Sequence, residues 1–231
     1  MSDDNRALIA DLQARIDARR TFGAHPLWKR IENGELDRKQ LQRFAVQFFL
    51  QVREFPRAVS AMHSRCPYDD MRQELAESVY EEESGRISGC NLPHPELFIQ
   101  FGTALGLERR DMTEGVPLPE TAALIQWFEI ASQNRSFLES AAAINLAAEG
   151  QVPGAFGPMA RALEKHYGLS KDAVAFWDVH EIADQDHSDV GDHIVVKAAD
   201  TEEKRQQVRA ALEDSLTRWW SFFDGIERAL A

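Results

Sequence analysis

The sequence predicts an all-α protein, a compact bundle of seven or eight helices. Apolar residues recur every three or four positions through most of the chain, which is the period of a helix with one buried face. No stretch alternates apolar and polar residues for long enough to indicate a sheet. The 231 residues are 44% hydrophobic, enough to bury one core, so residues 1–231 are expected to form one domain.

Helices in the N-terminal half follow from apolar stripes and caps. A stripe of leucine and isoleucine predicts a first helix around residues 8–16. Asp37, with Gln40 three residues later, forms a capping pair that opens a long second helix, and Pro56 is expected to kink that helix. A third helix is predicted over residues 68–83.

The C-terminal half contains one predicted loop and several longer helices. A fourth helix is predicted to open at His94, because the proline that follows is tolerated in a first turn, and to end near Gly106. Residues 107–119 combine charged residues with two prolines and are predicted to form the one long loop. Further helices are predicted over residues 121–149, 158–167, 171–198 and 201–230.

Composition and charge argue against several classes of protein. The formal net charge of −12 leaves little basic surface to neutralise phosphates, so neither nucleic acid nor a membrane is an expected partner. The N-terminal residues lack the apolar core of a signal peptide, and no run reaches the roughly 18 apolar residues of a membrane span. A cytoplasmic protein is therefore expected, in which Cys66 and Cys90 remain structural thiols.

The strongest chemical signal is the segment HEIADQDH. His180, Asp184 and His187 stand at positions i, i+4 and i+7, so they project from one face of a helix. The same stripe includes Trp177 and Ile194, which predicts that this face points into the core. Three buried ionisable groups need a cation. The alternative from this segment alone is an exposed acidic helix with solvated histidines.

Three more residues are candidate ligands. Glu82 continues an apolar stripe that includes Leu75, whereas the neighbouring Glu81 is predicted to point away from it. Glu149 ends a run of small apolar residues that would let another helix approach closely; it could equally be a solvated helix terminus. His94 could be only a helix cap.

Together these side chains form a mixed oxygen and nitrogen donor set. Their three carboxylates contribute −3 against the +4 of two divalent ions, a combination that iron or manganese accepts, whereas zinc would expect fewer ligands. The two Glu-x-x-His pairs of ferritin-like dinuclear proteins are absent from the sequence. The predicted metal ligands are Glu82, His94, Glu149, His180, Asp184 and His187.

The order of these motifs resembles the heme-oxygenase-like diiron oxidase superfamily. The residues and motifs on which this resemblance rests are Glu82, His94 before PELF, Glu149 before GQVP, and the HxxxDxxH motif from His180. Residues 28–66 resemble the branch containing CADD, the para-aminobenzoate-forming oxidase, and more distantly PqqC. The resemblance implies a heme-oxygenase-like fold, two iron ions or a manganese–iron pair, no haem, O2 as oxidant, an external electron donor and a homodimer.

Departures from that branch affect the expected substrate. Ser88–Pro93 lengthen the interval before the histidine ligand. The para-aminobenzoate synthase is understood to consume one of its own tyrosines, but the matching position is Trp28, Ala148 precedes Glu149, and Met159 stands where a lysine is expected. A small external molecule is therefore the expected substrate. The predicted substrate-binding residues, with ordinary core packing as the alternative, are Trp28, Phe44, Phe48 and Phe49.

Three alternative functions remain at this stage: a para-aminobenzoate synthase like CADD, a metal-free oxidase like PqqC, and a non-catalytic protein-binding module. A measurement of bound metal would distinguish a diiron enzyme from a metal-free oxidase. A measurement of catalytic turnover would distinguish either enzyme from a protein-binding module. The last predicted helix also supports a homodimer, because its aromatic residues exceed what one stripe would bury. These are Trp219, Trp220, Phe222 and Phe223.

Overall fold

The computed structural model describes the backbone of residues 3–230 and the side chains of that range except those of residues 182–189. All regular structure in this range is helical, without a β-strand, so the all-α prediction is confirmed. Twelve α-helices replace the predicted seven or eight: α1 (Asp3–Ala18), α2 (Pro26–Glu32), α3 (Arg38–Val52), α4 (Phe55–Arg65), α5 (Asp69–Ser84), α6 (His94–Ala104), α7 (Arg109–Thr113), α8 (Pro119–Glu129), α9 (Phe137–Ala141), α10 (Phe156–Tyr167), α11 (Lys171–Ala198) and α12 (Glu202–Leu230).

Several predicted boundaries are confirmed by their caps. The side chain of Asp37 accepts a hydrogen bond from the backbone N–H of Gln40, and the Gln40 side chain accepts one from the backbone N–H of Asp37. This reciprocal pair satisfies two donors that the first turn of α3 would leave unpaired. Helix α6 begins at His94, and α11 spans the predicted 171–198.

The extra helices come from breaks and from short segments. The long helix predicted around Pro56 is divided into α3 and α4 by Arg53 and Glu54. The predicted loop 107–119 contains the short α7, so that prediction was wrong in part. Helix α2 was missed; the ring of His25 caps it by accepting a hydrogen bond from the backbone N–H of Leu27.

The single helix predicted over 121–149 was also wrong. It is broken after α8 by a π-helical turn, Ile130–Asn134, and restarts at α9, where Ser136 accepts a hydrogen bond from the backbone N–H of Glu139. A second π-helical turn, Ala142–Leu146, and a 3₁₀ turn, Glu149–Gln151, follow α9. π-Helical turns are uncommon and are often found at functional sites.

The core lies between the two longest helices and their neighbours. Helix α11 contacts α5, α6 and α10, whereas α12 contacts α3, α8 and α9. Gly191 allows α11 to approach the second π-helical turn, because a Cβ at Gly191 would lie 2.7 Å from Cδ2 of Leu146. Phe48 and Trp177 lie at the centre of an aromatic cluster, with ring centroids 5.4 Å apart.

The aromatic residues of α12 pack inside the chain. Trp219, Phe222 and Phe223 are each at most 3% exposed, and Trp220 packs edge-on against the ring of His25. The sequence argument for a dimer from these side chains therefore fails, and the homodimer itself stays a prediction. Within the described residues, no helix is both long and apolar enough to cross a membrane.

Candidate metal centre

Three helices bring a group of acidic and imidazole side chains into the core. Glu82 lies near the end of α5, His94 is the first residue of α6, and His180 lies in the middle of α11. Their side chains are between 1% and 9% exposed. One ligand atom from each residue lies within 4.8 Å of the other two, a spacing that one metal ion could bridge.

The two ring nitrogens of His94 each lie close to a carboxylate. Nε2 lies 3.2 Å from Oε1 of Glu81, so an Nε2–H can donate to that carboxylate. Nδ1 lies 3.1 Å from Oε1 of Glu82 but makes no hydrogen bond of acceptable geometry with any residue in the described part of the chain. A buried nitrogen that faces a carboxylate without a hydrogen bond has the position expected of a metal ligand.

Electrostatics in the metal-free chain favour a charged His94. Burial opposes protonation, but the carboxylates of Glu82 and Glu81 outweigh burial and raise the pKa of His94 from 6.5 to about 9. For Glu81, burial also opposes the charged form, yet hydrogen bonds from Ser88 and Ile87 lower its pKa. A cation placed between Glu82 and His94 would replace the proton on the ring.

His180 is oriented by its own helix. Its Nδ1 lies 2.7 Å from the backbone oxygen of Phe176, so Nδ1–H donates to that carbonyl and Nε2 carries the ring's lone pair. The ring centroid of His180 lies 4.4 Å from that of His94. A backbone hydrogen bond that sets the tautomer is typical of metal-binding histidines.

Glu149 reaches the same region from the irregular segment after α9. Its side chain is 4% exposed, and Oε2 accepts a hydrogen bond of 2.9 Å from Nδ2 of Asn145. Glu149, Glu82 and His180 line one cavity. The side chains of Asp184 and His187 lie outside the described residues, so their part in the site stays a prediction.

Glu81 is a site residue that the sequence analysis missed. It was predicted to point away from the apolar stripe, but it is 1% exposed and contacts His94. Its other oxygen, Oε2, accepts hydrogen bonds from the backbone N–H groups of Ile87 and Ser88, at 2.7 and 3.2 Å. The loop after α5 therefore folds over Glu81 and buries it.

The cavity beside these ligands is narrow and mainly aromatic, with a volume of about 50 Å³. Of the predicted substrate-binding residues, Phe48 lines it, whereas Trp28, Phe44 and Phe49 are buried outside its lining. Trp28 instead donates a hydrogen bond from Nε1 to Glu32. The remaining wall is formed by Phe22, Gln51, Val52, Phe55, Ala148, Val152, Phe156, Phe176 and Trp219.

The donor chemistry fits a divalent metal ion of intermediate hardness. Glu82 supplies a carboxylate oxygen and His94 and His180 supply imidazole nitrogens, a set that suits iron and manganese. The unsatisfied Nδ1 of His94 and the fixed tautomer of His180 both support this fit. A second group of potential ligands consists of Glu81, Cys90 and His94. It has His94 in common with the first group, and its Glu81 is the carboxylate that orients the His94 ring.

Residues 42–220 match the family of proteins described as iron-containing redox enzymes. The match covers well over half of the chain. The chain belongs to this family. Among curated relatives of this iron-containing redox enzyme is a 4-aminobenzoate synthase of Nitrosomonas europaea, 34% identical over 212 residues, which cover 87% of the chain and 84% of the relative. A pyrroloquinoline-quinone synthase of Xanthomonas oryzae pv. oryzae is 28% identical over 225 residues, covering 96% and 87%.

Solved structures confirm the predicted heme-oxygenase-like fold. A domain with a heme oxygenase-like fold from Shewanella denitrificans has a TM-score of 0.71 at 15% identity, covering 97% of the chain and 90% of that structure. A CADD-like protein from Nostoc punctiforme has a TM-score of 0.77 at 16% identity, covering 100% of each chain. At this identity the likeness concerns the fold alone.

Proposed function

We propose that this iron-containing redox enzyme is a non-haem diiron oxidase or oxygenase that uses O2 to oxidise a small external metabolite. The observation that carries the proposal is the buried group of Glu82, His94 and His180, with Nδ1 of His94 lacking a hydrogen bond among described residues. These three residues would hold one iron. Glu149, Asp184 and His187 would hold the second, in a diiron site or a manganese–iron site.

Iron bound by these residues would supply the electrons for reducing O2, so that a C–H, C–C or N–H bond of the substrate could be oxidised while an external donor restored the ferrous state. The protein's own residues fix the ligands and limit water. Glu81 orients the ring of His94, and Asn145 orients the carboxylate of Glu149. The aromatic wall keeps the site mainly apolar, which protects a reactive species from side reactions.

The positions of the tyrosines support an external substrate. None of Tyr68, Tyr80 and Tyr167 lines the cavity. Tyr80 is 49% exposed, and the hydroxyl of Tyr167 contacts the backbone of Ile31 and Leu36. Ala148, the residue before Glu149, lines the cavity without offering a reactive group. A reaction that consumes one of the chain's own tyrosines has no tyrosine in the described cavity lining to use.

The test is reconstitution of the metal-free protein with ferrous iron in the absence of oxygen. We expect about two tightly bound irons per chain, followed by a transient change in near-ultraviolet and visible absorption when O2 is admitted. His94→Ala and Glu149→Ala should each lower the iron content, whereas His193→Ala should not, because His193 is an exposed histidine on the same helix as His180. Absence of tightly bound iron and of any oxygen-dependent absorption would contradict the proposal and favour a metal-free oxidase or a binding module.

A further inference from the structure

The side chain of Gln51 lies in the cavity wall without a hydrogen-bonding partner among the described residues. It is 3% exposed and lines the cavity together with Glu82, Glu149 and His180. Neither amide atom is among the fully buried polar atoms that lack a partner, so the unpaired amide keeps some accessible surface. An unpaired primary amide in the wall of a mainly apolar cavity is suited to binding a ligand.

Gln47, one turn earlier on α3, shows that the protein itself can bind both ends of a buried amide in this helix. Its Nε2 donates to the backbone oxygen of Val116 at 3.0 Å. Its Oε1 accepts from the backbone N–H of Leu118 at 2.9 Å and from the hydroxyl of Thr121 at 2.7 Å. The two glutamines therefore differ in role: Gln47 joins α3 to the start of α8, whereas Gln51 lines the cavity.

The rest of the wall limits what can occupy the cavity. Among the described residues, the lining contains no lysine or arginine, so an anionic group away from the metal would have no countercharge from them. The volume of about 50 Å³ is well below the roughly 150 Å³ of an engineered cavity that binds benzene. The occupant must therefore be smaller than a benzene ring. Phe55 is the half-buried member of the lining and marks the side nearest to solvent.

We propose that the cavity binds a slender, uncharged molecule whose hydroxyl or primary amide hydrogen-bonds to Gln51 while its apolar chain lies along the aromatic wall toward the metal ligands. An amide offers both donors and an acceptor, so its best partner is an uncharged group that also does both. The proposal rests on the proposed function, because it names the substrate class of the same site. The proposal predicts that phosphorylated and polyanionic metabolites are not substrates.

The test measures binding of three probes of equal chain length: propan-1-ol, 1-chloropropane and propanoate. The full chain is used both metal-free and loaded with ferrous iron under nitrogen, and binding is followed by tryptophan fluorescence, because Trp219 lines the cavity. In the metal-free protein we expect propan-1-ol to bind about 5- to 10-fold more tightly than 1-chloropropane, the value of one hydrogen bond. Propanoate should show no saturable binding to the metal-free form.

Gln51→Leu should abolish the preference for the alcohol and leave the affinity for 1-chloropropane unchanged or higher. Gln126→Leu is the matched control, since Gln126 is exposed on α8, and it should keep the preference. If Gln51→Leu misfolds by circular dichroism, Gln51→Met serves instead, because it retains side-chain length. Equal affinity for alcohol and chloride in the wild type, tighter binding of propanoate, a preference that survives removal of Gln51, or no saturable binding of the alcohol would each overturn the proposal.

The iron content of the same preparations separates this proposal from the proposed function. Two irons per chain without an alcohol preference would overturn the substrate class alone. An alcohol preference in a chain that binds no iron would overturn the diiron function while leaving the chemistry of the cavity as proposed. Gln51→Leu is expected to retain the wild-type iron content, because its amide contacts none of the described ligands.

Discussion

Glu81 and Glu82 place their carboxylates beside the two nitrogens of one imidazole: Oε1 of Glu81 lies 3.2 Å from Nε2 of His94, and Oε1 of Glu82 lies 3.1 Å from Nδ1. Consecutive residues of a helix point about 100° apart, so the ring must enter between their side chains. Glu81 therefore orients the histidine, and Glu82 is placed to share the proposed metal ion with it. Carboxylates that orient metal-binding histidines are energetically important.

Replacing Glu81 should weaken iron binding. In Glu81→Gln the side-chain shape is kept, but the charge that holds Nε2–H is lost, and we expect a 10- to 100-fold lower affinity for ferrous iron. Glu83→Gln is the control, because Glu83 lies two residues after Glu81 on α5 and its side chain is exposed. Anaerobic titration with a competing chelator measures both variants. Equal affinities for the two would show that Glu81 does not act through His94.

The stability of the metal-free protein should depend on the protonation of His94. Its folded-state pKa of about 9 exceeds the usual 6.5, so its stabilising contribution is present below pH 6.5 and is lost as the pH rises through 9. The full loss should amount to about 3 kcal/mol. Urea unfolding at pH 6, 7.5 and 9 measures it. His94→Gln should flatten this dependence and His193→Gln should not; an unchanged slope in His94→Gln would count against the assignment.

The two buried glutamines of α3 should respond oppositely to the same substitution. Gln47→Leu leaves the N–H of Leu118 and the hydroxyl of Thr121 without their acceptor, so we expect a loss of about 1–3 kcal/mol in the free energy of unfolding. Gln51→Leu removes an amide that has no partner among the described residues, so stability should be unchanged or higher. Urea unfolding of metal-free protein tests both. Equal destabilisation by the two changes would contradict this assignment.

Helix α11 lies so close to the second π-helical turn at Gly191 that we expect any larger residue there to destabilise the fold. A Cβ there would lie 2.7 Å from Cδ2 of Leu146 and 3.0 Å from Cβ of Asn145, so Gly191→Ala should destabilise by about 1–3 kcal/mol. Gly150→Ala is the control, since its nearest contact would be 3.4 Å from Cδ1 of Ile16. Thermal unfolding of the two variants compares them; a stability loss of similar size in both would refute the packing argument.

The fold was predictable in class and in most helices, because stripes and caps are local signals. Its main error, the continuous helix over 121–149, also had a local signal: Ser136 and Glu139 form a capping box that marks a new helix start. His25 before Pro26 likewise marks the missed α2. The π-helical turns had no such signal, since they depend on how α9 packs against its neighbours.

The candidate site was predictable in part. Glu82, His94 and His180 are brought together as the sequence analysis expected, because each continues an apolar stripe or opens a helix. Glu81 could not be found from its helical position, since its burial depends on the loop that carries Ile87 and Ser88 folding back over it. Gln51 was missed for a similar reason: a stripe shows that a residue faces inward but not what it faces.

The site draws its described ligands from α5, α6 and α11 and from the 3₁₀ turn that contains Glu149. Between Glu82 and His180 lie nearly a hundred residues, so a growing chain on the ribosome offers no complete set until α11 has emerged and packed. If these residues bind iron as proposed, metal capture comes late, after the polypeptide has closed around its own carboxylates, and a truncated product that lacks α11 would not retain the iron. On the proposed function, the spacing of the ligands along the chain would thus set when oxygen chemistry can begin.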